Sequence, residues 1–269
     1  MTFKEFWRPL TQVYEQDEAK AVAQFVFEMR YGLSMADVLC GRTGDEAELR
    51  QMQGRLLQGE PVQYVIGLAE FGPLSFHVEP GVLIPRPETY ELCQWSIDAF
   101  KGGTILDIGT GSGCIACTIA AALPLAAVTA WDVSETALSV ACGNAKRTNV
   151  QVSFERVDAL NIPPTPDRWD IIISNPPYIC ERERAAMERN VLDYEPAEAL
   201  FVPDEDPLLF YRAIAAYGQG ALKPGGRLYF ELNPLYASDV QHLLSMMLYH
   251  NIEIKEDQYG KQRMIRAQR

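Results

Sequence analysis

The stretch TILDIGTGSGCIACTIAAAL, residues 104–123, decides the fold. TILDIGT is an apolar run ending in a glycine loop, and CIACTIAAAL has helical character, so the segment reads strand, loop, helix. Glycines let a backbone approach a ligand and take positive φ. The helix behind them offers free N–H groups to an anion. A dinucleotide fingerprint would be G-x-G-x-x-G. Here the spacing is G-x-G-x-G over Gly109, Gly111 and Gly113, with Cys114 in the place of the third glycine, which disfavours a dehydrogenase.

The same alternation repeats outward. AAVTAWD, VSFERVD, WDIIISN and GGRLYFEL read as further strands. Helices are expected over SETALSVACGNAKRT with Ser134 as N-cap, from Asp206 to Leu222, and from Ser238 to Tyr249. IEIKED and KQRMIRA, joined at Tyr259 and Gly260, read as a closing antiparallel hairpin. Alternating strands and helices imply an α/β fold with a mostly parallel, doubly wound sheet, and ligands then bind beyond the carboxyl ends of the strands.

Upstream, residues 1 to about 72 read as helical. Val22, Phe25, Val26 and Met29 share one face, and Gly32 closes that helix. Ser34 caps a second helix, and Leu49, Met52, Leu56 and Leu57 form the stripe of a third. From Pro61 to Pro87 the chain is rich in Gly, Pro and alternating apolar residues. Leu74, Phe76 and Val78 alternate, and Val82 and Leu83 follow a Pro-Gly turn, so a β-hairpin connector is expected.

The chain has 269 residues and a net charge of −12. That acidity argues against non-specific nucleic-acid binding, which neutralises phosphates with Lys and Arg. It favours a protein or small-molecule substrate, with no direct nucleic-acid partner. No basic-then-apolar leader and no membrane-length apolar run is visible, so a cytoplasmic chain with reduced thiols and no membrane contact is expected. Cys114 and Cys117 resemble a redox or metal pair, but no second pair completes a zinc site. They are read as apolar packing, and no metal is expected.

Two strand ends downstream of the glycine loop carry carboxylates. Asp132 is placed to accept hydrogen bonds from a ribose diol, and Asp158 to read an adenine amino group. Asn175, Pro176, Pro177 and Tyr178 directly follow the fourth strand. Proline has no N–H, so this loop is stiff and rich in carbonyl acceptors. The Asn175 side-chain oxygen and the Pro176 carbonyl can converge on the two hydrogens of a primary amide or aromatic amine. Tyr178 is expected to lie flat against such a planar group.

GTGSG and NPPYI on this alternation resemble a class I, Rossmann-like methyltransferase. With PVQYVIG, FGPLSF, VLIPRPET and EPAEAL, the chain resembles the HemK/PrmC family over nearly its whole length. The resemblance implies a mixed seven-stranded sheet, with a helical substrate-recognition domain (1–72), a β-hairpin linker (73–87) and an S-adenosylmethionine-dependent domain (88–269). It implies methyl transfer from S-adenosyl-L-methionine to N5 of the glutamine in the Gly-Gly-Gln motif of class 1 peptide chain release factors, by a monomer. Asn175, Pro176, Pro177 and Tyr178 match the glutamine-binding motif. Gly109, Thr110, Gly111, Ser112, Gly113 and Asp132 match the cofactor site, with Asp158 and Ala159 near the adenine and Asn175 touching both ligands. Arg86 and Thr89 lie where the family approaches the methionine end of the cofactor.

Tyr90 stands where the family usually carries a second acidic residue, and Asn233 where glycine is usual; neither is expected to touch the amide-holding loop. The rival substrates are a glutamine in a ribosomal protein and an adenine amine in nucleic acid, which an enzyme must flip from its stack. A catalytically dead copy would have no chemical reason to keep both GTGSG and NPPY. His77, His242 and His250 have no evident catalytic partners. ERERAAMER (181–189) reads as a solvated helical face, and Lys261, Arg263 and Arg266 as a basic edge.

Overall fold

The computed structural model describes residues 1–269. Five helices open the chain: α1 (Phe3–Leu10), α2 (Gln16–Tyr31), α3 (Met35–Leu39), α4 (Glu46–Leu57) and α5 (Val62–Ile66). Their starts follow capping chemistry. Thr2 and Ser34 form reciprocal capping boxes with Glu5 and Asp37, and Asp45 accepts from the Glu48 N–H. Gly32, at φ 64°, ends α2. The bundle has its own core, including Phe6, Leu10, Phe27, Leu49 and Leu56. The buried face of α2 is Ala19, Ala23, Val26 and Phe27; Val22, Phe25 and Met29 pack only at its margin.

The connector differs from the expected hairpin. PVQYV folds as α5, because Pro61 heads a helical turn whose carbonyl accepts from Tyr64 and Val65. The hairpin is β1 (Leu68–Phe71) paired with β2 (Leu74–His77), earlier than Val82 and Leu83 suggested. Residues 78–86 form no strand, since prolines at 80 and 85 remove ladder donors.

Next come α6 (Pro87–Asp98), β3 (Thr104–Ile108), α7 (Cys114–Ala122), β4 (Ala127–Asp132), α8 (Glu135–Arg147), β5 (Ser153–Arg156) and β6 (Trp169–Ser174). A small pair, β7 (Ile179–Cys180) and β8 (Phe201–Val202), flanks α9 (Arg189–Tyr194). The chain closes with α10 (Leu209–Ala221), β9 (Leu222–Glu231), α11 (Ala237–Met246), β10 (His250–Glu256) and β11 (Gln262–Gln268). ERERAA is a 3-10 helix (Glu181–Ala186) with no buried residue.

The main sheet has seven strands in the order β10-β11-β9-β6-β3-β4-β5. Six strands run in one direction and β11 alone is reversed, antiparallel to both β9 and β10, so the sheet is mixed. Strand residues alternate between two cores. Leu106, Ile108, Ile172 and Phe230 meet α10 and α11, and Ile105, Ile171, Ile173 and Tyr229 meet α6 and α7. The last strand is not an edge. Arg266 pairs with Glu253 on β10, and Arg263 with Asp257. The chain runs β3-β4-β5 to one side and then returns to place β6 on the other side of β3. That switch point opens a crevice above β3 and β6.

Candidate active site

A cavity of about 690 Å3 fills this crevice. Its floor is the loop after β3, where Gly109, Gly111 and Gly113 all take positive φ. A Cβ on Gly111 would meet no protein atom, so this face of the loop is left for a ligand. Gly113 serves packing instead. As N-cap of α7 it presses on α8, where a Cβ would come within 2.9 Å of the Ala141 Cβ. Thr110, Ser112 and Cys114 also line the cavity. The Ser112 hydroxyl is buried without a hydrogen-bond partner.

Beneath this loop Asp107 is fully buried. The Thr110 hydroxyl donates to its Oδ2 at 2.6 Å, while Oδ1 has no partner. Burial pushes its carboxyl up to about 7, against the pull of Thr110. Asp132 ends β4 on the cavity wall. Its carboxylate accepts from the backbone N–H of Gly111 (2.8 Å) and Ser134 (2.9 Å). Burial raises its carboxyl and those N–H groups lower it. Asp158 lies two residues past the end of β5, and Ala159 beside it; both line the cavity. Asp158 holds its own turn, accepting from Leu160 N–H and the Asn161 side chain.

The opposite wall is the segment 81–86, of which only Arg86 was expected at the site. Glu195, 7 % exposed, clamps it by accepting from the Ile84 N–H (3.0 Å) and the Arg86 guanidinium. Arg86 and Thr89 both face the cavity. Thr89 sits in the first turns of α6, where Pro87 starts the helix.

The loop after β6 meets the glycine loop because β3 and β6 are paired, with Ile108 opposite Ser174. Asn175, Pro176 and Pro177 line the cavity. The Asn175 Nδ2 donates to Thr89 Oγ1 at 3.2 Å, leaving Oδ1 without a protein donor. Tyr178 is placed otherwise than expected. Its half-buried ring packs against the margin of the core and does not line the cavity, and its hydroxyl donates to Glu231 Oε1 at 2.9 Å. Burial and the Glu231 carboxylate keep that phenol well above its ordinary value.

Glu231, absent from the sequence reading, is 2 % exposed at the end of β9. Its other oxygen accepts from the Thr89 hydroxyl at 2.5 Å. Burial raises its carboxyl, opposed by the Thr89 and Tyr178 hydroxyls and the Arg263 guanidinium. Asn233 does touch the loop: its Nδ2 donates to the Tyr178 carbonyl at 3.2 Å and to Glu183 at 3.0 Å. A glycine at 233 would leave that carbonyl without this donor. Tyr90 is a packing residue, edge-on to Phe71 at 5.4 Å.

Cys114 and Cys117 are buried, and burial pushes both thiols up to about 12. They are protonated packing groups without the thiolate that redox or metal chemistry uses. No group of His, Cys, Asp and Glu is arranged to hold a metal ion. No helix is long and apolar enough to cross a membrane.

These residues fit a nucleoside carrying a charged amino-acid tail. The Gly111 face is open, the Ser112 hydroxyl lacks a partner, and the first turn of α7 supplies N–H groups. Asp132 and Asp158 stand in order along the strand ends.

A family model described as methyltransferase small domain matches residues 92–194. The chain is 44% identical to the release factor glutamine methyltransferase of Bacteroides thetaiotaomicron, over 97% of this chain and 96% of that one. It is 38% identical to the protein of the same name from Flavobacterium psychrophilum, over 98% and 96%. Among solved structures, a methyltransferase from Pyrococcus furiosus shares the fold with a TM-score of 0.53. It is 20% identical, and the match covers 81% of this chain and 98% of that one.

Proposed function

The chain belongs to the release factor glutamine methyltransferase family, and from that premise we propose that Asn175 and Pro176 hold the side-chain amide of a release factor glutamine for N-methylation. The enzyme is an S-adenosylmethionine-dependent methyltransferase. The substrate we assign is the glutamine of the Gly-Gly-Gln motif in class 1 peptide chain release factors, methylated on N5.

The observation that carries this reading is the state of Asn175. Its Nδ2 is spent on Thr89, so its Oδ1 is the free acceptor at the cavity. An amide nitrogen is a poor nucleophile because its lone pair is delocalised into the carbonyl. Two acceptors, Asn175 Oδ1 and the Pro176 carbonyl, each take one amide N–H and return electron density to the nitrogen. They also hold the NH2 group in one orientation. Reacting atoms must stand about 3–3.5 Å apart in line, and a stiff Pro-Pro backbone keeps that geometry. When bound, S-adenosylmethionine would supply an electrophilic sulfonium methyl, with a neutral thioether as the leaving group. The glycine loop, Asp132 and the Asp158–Ala159 turn hold the nucleoside, and Arg86 faces the amino-acid end. The displaced amide proton passes to the carbonyl acceptors and on to water, so no carboxylate base is needed.

The test is methyl transfer from labelled S-adenosylmethionine to purified release factor, with mass spectrometry of the Gly-Gly-Gln peptide. One added methyl on that glutamine is expected. Transfer to a ribosomal protein or to nucleic-acid adenine, with none to the release factor, would overturn the assignment.

A further inference from the structure

We propose that Glu231 is a positioning residue that fixes which end of the Asn175 amide faces the substrate. The proposal rests on the acceptor role given to Asn175 above. The two ends of an asparagine amide have nearly the same shape and opposite hydrogen-bonding character. Flipped by 180°, Asn175 would present N–H donors to the N–H donors of a substrate amide, and the site would repel what it has to hold.

The direction is set by a one-way chain. Glu231 is almost wholly buried, and both of its oxygens accept from hydroxyls. The Thr89 hydroxyl has one proton and spends it on Glu231 Oε2 at 2.5 Å. Its oxygen then has only lone pairs to offer, and these take the Asn175 N–H at 3.2 Å. A flip would set Asn175 Oδ1 against Thr89 Oγ1 with no proton between them. The correct face, Oδ1 outward, follows from where the negative charge sits.

The same carboxylate holds the other end of the loop. Its Oε1 takes the Tyr178 hydroxyl at 2.9 Å, so residues 175 and 178 are tied to one anchor. Sheet register makes this possible. Ser174 on β6 pairs with Phe230 on β9, so Asn175, the first residue past β6, stands beside Glu231, the last residue of β9.

Glu231→Gln keeps the shape and breaks the direction, because the glutamine amide carries donors as well as an acceptor. We expect kcat to fall about 10- to 100-fold, the usual effect of one misdirected buried hydrogen bond. The Kd for S-adenosylmethionine should stay within about threefold, since Glu231 does not line the cavity. A direct readout needs no substrate: the Asn175 side-chain NH2 followed by 15N NMR in asparagine-labelled enzyme. In the wild type the proton bonded to Thr89 should be protected from solvent exchange, and in Glu231→Gln that protection should be lost. Should Glu231→Gln fail to fold, Thr89→Val removes the next link with little change of volume and carries the same expectation for turnover and for Asn175 exchange, though not for cofactor affinity, since Thr89 lines the cavity. Wild-type turnover in a folded variant, or a freely exchanging Asn175 amide in the wild type, overturns the proposal. A protected Asn175 amide in an enzyme that leaves the release factor unmethylated would keep the chain of bonds and sink the substrate assignment.

Discussion

The two loops that meet above β3 and β6 are built to opposite specifications. The loop after β3 is permissive: three glycines at positive φ, an open face at Gly111 and a hydroxyl left free at Ser112. The loop after β6 is restrictive: two prolines, and side chains tied at both ends to Glu231 through Thr89 and Tyr178. Each has a buried carboxylate behind it. Asp107 has one oxygen unpartnered, whereas both oxygens of Glu231 are engaged. The contrast separates two tasks. Binding a large cofactor calls for backbone that can wrap and polar groups held in reserve. Aiming a weak nucleophile calls for acceptors that cannot turn.

The largest effect should come from the restrictive loop. Asn175→Ala keeps the proline frame and removes one acceptor. Turnover should fall on the order of 10^3-fold, as when one preorganised partner is removed from an active site. Cofactor binding, read by calorimetry, should be weakened but measurable. Wild-type turnover would end the distinction between the loops.

The unpartnered carboxylate of the permissive loop should appear in stability. Asp107 sits at about 7 in the folded enzyme against 3.8 ordinarily. Between those values the unfolded chain has released its proton and the folded chain has kept it, so stability falls as pH rises through this window. Asp107→Asn removes that slope. Between pH 5 and pH 8 the cofactor-free wild type should lose roughly 2–3 kcal/mol relative to the variant, by urea unfolding. Parallel pH profiles for the two proteins would refute the burial argument.

The smallest effect sharpens the comparison within one loop. Alanine at either Gly111 or Gly113 takes a strained positive φ, at about 1 kcal/mol. Only at Gly113 does the new Cβ also meet Ala141, at 2.9 Å. Gly113→Ala should therefore lower the thermal midpoint more, by roughly 1–3 kcal/mol of added overpacking. Gly111→Ala should instead weaken S-adenosylmethionine binding about tenfold. Unchanged affinity in Gly111→Ala would mean that the open face is not a cofactor contact.

Both loops were legible in the sequence because each is written within a few consecutive residues. The strand-loop-helix alternation and the closing hairpin were legible for the same reason. What could not be read was carried by pairing between distant segments. Glu231 looks like the charged end of an apolar strand until register sets it beside Asn175. Asn233 was expected to be clear of the acceptor loop and instead supports its Tyr178 carbonyl. Tyr178 was assigned a ring face toward the substrate, but its hydroxyl meets a buried carboxylate and its half-buried ring packs against the core, outside the cavity lining. The linker misled because the apolar pair Val82 and Leu83 after the Pro-Gly turn marks a cavity wall and not a strand.

The clamp on that wall has a consequence for how the enzyme comes into being. Its closing contacts join residues very far apart in the chain: Thr89 to Glu231 spans 142 positions, Ile84 to Glu195 spans 111, and His77 to Asn144 spans 67. Ordering such long loops carries an entropic cost that must be met before the contacts return anything, so distant pairs form late. The helical bundle and each local strand-helix unit can assemble before the walls of the crevice meet. Helical signal therefore returns ahead of cofactor affinity during refolding, and a newly made chain passes through a stage that is folded in its parts and blind to its cofactor.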